Sequence, residues 1–119
     1  MSTFAAHAVA FQNVPELSLA AVILAENADG SGARLEVQRN LAPDETDRML
    51  GLATYSLTWG TANHYGGVEN WSVADGTVNL VLNEAAAKAL GTELAFRITV
   101  SAENEGMVQR GLTRVIDEA

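Results

Sequence analysis

The chain has 119 residues, no cysteine, and fifteen acidic against seven basic side chains, a formal net charge of −8 at neutral pH. Such a length fits one domain that buries about two thirds of its unfolded surface, and the lack of cysteine excludes a disulfide framework and thiolate chemistry. The acidic balance disfavours nucleic acid and anionic membranes, whose phosphates it would repel, favours a basic partner, and with the missing cysteines sets the expected location as cytoplasmic.

The apolar N-terminal run prompts a test for a signal peptide or membrane span and meets neither requirement. No Lys or Arg precedes it, Pro15 and Glu16 interrupt it, and its continuous part, residues 17–25, is far short of the ~20 residues a spanning helix needs. Residues 4–12 set Ala6, Ala8 and Ala10 against Ala5, His7, Val9 and Phe11, which predicts a strand, weakened by its alanines. His7 has no carboxylate or second histidine nearby in sequence and is given no role. Pro15 marks a turn, and residues 17–25, apolar on both faces, predict a central strand. In residues 26–33, Asn27, Asp29 and Gly30, with Glu36 beyond, partly match a calcium-binding loop. Ala25 stands where the first ligand belongs and the flanks read as strands, so the segment is a hairpin loop.

Residues 34–41 alternate Leu35, Val37 and Leu41 against Glu36, Gln38 and Asn40, leaving Arg39 on the apolar side. An arginine there needs a carboxylate partner or a place at the sheet's end. Asp47, in the acidic stretch 43–47, is the expected partner. That stretch and residues 48–51 read as a helical turn or a solvated connection. Residues 52–59 predict a strand with Ala53, Tyr55, Leu57 and Trp59 on one face, and residues 60–64 a loop. Trp59, Tyr65 and Trp71 are expected to gather, as core packing or as a stacking platform for a small ligand. His64 with Glu69 resembles an acid–base pair but brings no nucleophile, oxyanion site or metal partner. A small hydrolase or isomerase would rest on that pair; no catalytic residue, metal or cofactor is assigned.

Asp75-Gly76 between two alternating runs predicts a tight hairpin. Val78, Leu80 and Leu82 form its dry face and Thr77, Asn79 and Asn83 its wet one. Asn83 then caps a short helix closed by Gly91, with Glu84 and Lys88 four apart on it. Residues 94–100 alternate Leu94, Phe96, Ile98 and Val100 inward. A terminal helix starts at residues 101–104 and carries Val108, Leu112, Val115 and Ile116 at helical spacing. The expected fold is α+β: a mostly antiparallel sheet of six or seven strands, one short helix, and a C-terminal helix packed on one face. Leu80, Leu82, Phe96, Ile98, Leu112 and Val115 should share one core.

The ordered series Leu35-Glu36-Val37-Gln38-Arg39, Asp44-Glu45-Thr46-Asp47 with Gly51, Thr54-Tyr55, Tyr65-Gly66-Gly67-Val68-Glu69 and 86–91 resembles the immunity protein 10 family of bacterial polymorphic toxin systems. The likeness runs over most of the chain and is weaker in the alanine-rich N-terminal third and around residues 59–64. It implies a small, non-enzymatic cytoplasmic protein, encoded beside a toxin gene, that binds and neutralises the cognate toxin. Gln38, Arg39, Asp47, Tyr55, Tyr65, Gly66 and Gly67 fall on the family's recurring pattern and are compatible with structural roles. Loop placement and charge, rather than the resemblance, make Asp44, Glu45 and Glu69 the candidate toxin contacts. The partner expected is a basic toxin protein, with no nucleic acid or membrane and with self-association left open.

Overall fold

A computed structural model describes residues 2–118. Among them nine strands form two open sheets: β1 (Ser2–Ala5), β9 (Ala95–Thr99), β8 (Thr77–Leu82) and β7 (Val68–Ala74) in one, β2 (Ala8–Val14), β3 (Leu19–Ala25), β4 (Arg34–Asn40), β5 (Tyr55–Trp59) and β6 (Ala62–Tyr65) in the other, each in that spatial order. Pairing is antiparallel except between β1 and β9. Three α-helices, α1 (Glu45–Met49), α2 (Glu84–Leu90) and α3 (Ala102–Leu112), complete the α+β fold, and α3 runs on into a π-helical turn, Thr113–Asp117.

The expected first strand is two strands in different sheets. The Ala6 N–H donates to Thr99 O at 2.8 Å and the His7 N–H to Ala25 O at 2.9 Å. Between those bonds the chain passes from one sheet to the other. Residues 60–64, expected to be a loop, are largely strand, because Trp59 pairs with Ala62 around a tight turn and the ladder continues to Ser56 and Tyr65. The strand expected from residue 52 begins at Tyr55.

Register puts Val22, Leu24, Leu35, Val37 and Leu57 on one face of the five-stranded sheet, and Phe4, Val78, Leu80, Phe96 and Ile98 face them from the other sheet; all are buried. Leu82, Leu112 and Val115 share that core. Trp59, half-buried, packs against this core, with ring centroids 5.9 Å from Phe4 and 5.1 Å from Phe96, the latter edge-to-face. Such offset aromatic contacts add to the burial itself. Leu94, expected inward, is 47% exposed because it precedes β9.

Local chemistry fixes the pieces. Asp75 and Gly76 both take positive φ, 54° and 73°, the conformation of a tight hairpin turn. Asn83 Oδ1 accepts the Ala86 N–H at 2.8 Å and Gly91 closes α2 in the left-handed region. In the 26–33 loop, Asp29 Oδ1 takes the Ser31 hydroxyl at 2.6 Å and the Ser31 N–H at 3.0 Å, while Glu26 Oε1 takes the Ala33 N–H. Its carboxylates serve the turn. Among the described residues no group of three or more His, Asp or Glu side chains is placed to hold a metal ion, and no helix is long and apolar enough to cross a membrane.

Candidate functional site

Strand alternation divides the recurring-pattern residues into two sets. Arg39 and Tyr55 pair across β4 and β5 on the inner face. The Arg39 guanidinium donates from Nη1 to Arg114 O at 3.1 Å, at the end of the C-terminal helix. The Tyr55 hydroxyl accepts the Val68 N–H at 2.9 Å, joining the two sheets. The expected Arg39–Asp47 ion pair is therefore replaced: Asp47 belongs to the opposite face of β4, where Gln38 and Asn40 point. It also completes a capping box, its carboxylate taking the Asp44 N–H while Asp44 Oδ1 takes its own at 2.8 Å.

Gly66 and Gly67 carry the chain between the sheets. At Gly67 φ is +101°, and a Cβ would lie 2.5 Å from that of Ala86 on α2. Backbone conformation and close approach both demand glycine here.

Gln38, Asp47 and Tyr65 do come together. With Asn40, Leu52, Thr54 and Ser56 they line a hollow of about 100 Å³ on the outer face of the five-stranded sheet. Beside it the N-cap Asp44 and Glu45 of α1 are exposed, as are Met49 and the following Leu50, at 80% and 66%. Glu69 lies elsewhere, in a β-bulge between Val68 and Asn70. It borders a larger hollow, about 480 Å³, between β7 and the C-terminal helix. The segment from Tyr65 to Glu69 connects the two hollows.

The expected aromatic cluster does not form. Trp59 packs half-buried against Phe4 and Phe96 of the core, Tyr65 is 45% exposed on the outer face, and the Trp71 Nε1–H donates to Asp117 Oδ1 at 3.0 Å beside the larger hollow. Alternation separates Trp59 from Tyr65, which lie on opposite faces of adjacent strands. His64 and Glu69 do not converge either. His64 is half-buried with Nδ1 3.2 Å from Gly66 O, whereas Glu69 is exposed on β7. The hollow at Gln38 and the β7 groove went unforeseen because both depend on which strands end as neighbours.

Against this geometry the sequence matches one known family, immunity protein 10, over residues 5–108. The chain belongs to the immunity protein 10 family. No curated protein and no solved structure matches it. Both hollows lie in this family member within the matched segment on their strand sides, and residues 109–117 of the C-terminal helix close the larger one from outside it.

Proposed function

We propose that this immunity protein 10 family member is a non-enzymatic inhibitor that binds and neutralises a cognate bacterial toxin in the cytoplasm. The observation that carries the reading is the family match over residues 5–108. The physical chemistry is consistent with it. An exposed apolar pair, Met49 and Leu50, beside Asp44 and Glu45 gives the arrangement of a protein interface, an apolar centre with a charged rim. With a net charge of −8, long-range attraction would steer a basic toxin onto that rim and speed association.

Asp44, Glu45 and Glu69 are the proposed contacts. Rim carboxylates of this kind act chiefly on the association rate, which makes binding salt-sensitive. The test is co-expression with the toxin encoded beside the gene, for the unaltered protein and for a variant with all three residues changed to lysine. Protection by the first and weakened protection by the second is the expected result. Failure of the unaltered protein to bind or protect would overturn the inhibitor, and undiminished protection by the variant would overturn only the surface.

A further inference from the structure

We infer that the free edge of β7 is a docking groove for an extended, basic segment of the toxin, which adds to the four-stranded sheet as a further strand. The inference rests on the inhibitor reading and assigns it a second surface. Among the described residues β7 ends its sheet, with β8 on one side and no strand on the other. Ala74 and Thr77 flank the two-residue turn, so they form a hydrogen-bonded pair, as do Ser72 with Asn79 and Asn70 with Val81. The N–H and C=O groups of Trp71 and Val73, alternating with these, consequently point away from β8 into the open.

What they meet is the larger hollow, about 480 Å³, lined on one side by residues 68–73 in unbroken succession and on the other by Gln109, Ile116 and Asp117. A strand edge facing a helix across a groove is the geometry in which a peptide adds by main-chain bonds and sends alternate side chains to the wall. On the inner side those side chains would meet Ile116, Trp71 and Val73, all only partly buried against the core. The lining carries two charges, Glu69 and Asp117, and no Lys or Arg, so the segment that fits it is basic. Residues 68–74 contain neither proline nor lysine, two usual guards of an exposed edge, and the bulge at Glu69 disturbs one end alone.

Amide hydrogen exchange on the full chain, free and saturated with the toxin domain, tests this directly. The Trp71 and Val73 amides should exchange rapidly in the free protein and slow by about tenfold or more in the complex. Val73→Pro removes an outward N–H without touching the β8 ladder, and should weaken toxin binding by about tenfold or more with the circular dichroism spectrum unchanged. A complex in which both amides exchange as before overturns the groove and leaves the inhibitor standing. No complex at all overturns both. Protection already present in the free protein and lost on dilution would give the edge to a second copy of the chain and overturn the toxin segment.

Discussion

The guanidinium of Arg39, on β4, holds the main-chain oxygen of Arg114 at 3.1 Å, and that bond fastens the end of the C-terminal helix to the five-stranded sheet. Carbonyls in the last turn of a helix lack partners within it, so a half-buried arginine that reaches one satisfies two groups at once. Arg39→Ala should cost about 1.5–3 kcal/mol in chemical denaturation, in the range of hydrogen bonds made by charged groups. Asp47→Ala should cost about 1 kcal/mol through its lost cap. The two losses should add in the double variant, because the residues serve opposite faces of β4. A coupling energy of about 1 kcal/mol or more would restore the ion pair that the sequence suggests.

Phe96 is 1% exposed and stacks edge-on against Trp59. Phe96→Ala should therefore destabilise by about 3–5 kcal/mol and unfold the domain in one transition seen equally by fluorescence and circular dichroism. A loss below about 1 kcal/mol would mean that the two sheets do not share a core.

Gly106 and Gly111 both sit in α3, where alanine is preferred to glycine by about 1 kcal/mol. Their surroundings should split them. A Cβ at Gly106 meets only the far end of the Arg110 side chain at 3.1 Å, which can move, so Gly106→Ala should stabilise by up to about 1 kcal/mol. At Gly111 it would lie 2.5 Å from Val22 Cγ2 and 3.2 Å from the Phe11 ring, and Gly111→Ala should cost about 1–3 kcal/mol by overpacking. Equal melting shifts for the two variants would contradict this packing of α3.

Those glycines also mark what could be read from the sequence. Local features were legible: the Asp75-Gly76 turn, the Asn83 cap, the Gly91 stop and the alternation of Phe96, Ile98 and Val100 each depend on near neighbours. Helix propensity alone counts Gly111 against α3, whereas in space it is a contact with Phe11 and Val22, which lie far earlier in the chain. The passage between sheets at Ala6 and His7 was hidden for the same reason, being decided by Thr99 and Ala25. Of the candidate surface, Asp44 and Glu45 stood out through charge, while the β7 groove needed the strand order.

Asp29 gives a pH signature. The Ser31 hydroxyl, and after it the Ser31 N–H, hold its carboxyl below the ordinary value. A carboxyl lowered on folding favours the folded state above its unfolded pKa, and that contribution disappears as pH falls through the lower folded value. Asp29 is fully exposed, so its titration is the measure rather than stability. In Ser31→Ala, the NMR titration of Asp29 should move up toward the ordinary carboxylate range; an unmoved titration would remove Ser31 as the cause.

The proposed inhibition is tested most directly by titrating this protein into a fixed amount of the proposed cognate toxin and measuring residual toxin activity. A binding inhibitor removes activity in proportion and reaches its end point near equal amounts of the two proteins, with no further loss on longer incubation. Complete inactivation by a small fraction of an equivalent, progressing with time, would reveal catalysis, and unchanged toxin activity at large excess would contradict inhibition altogether.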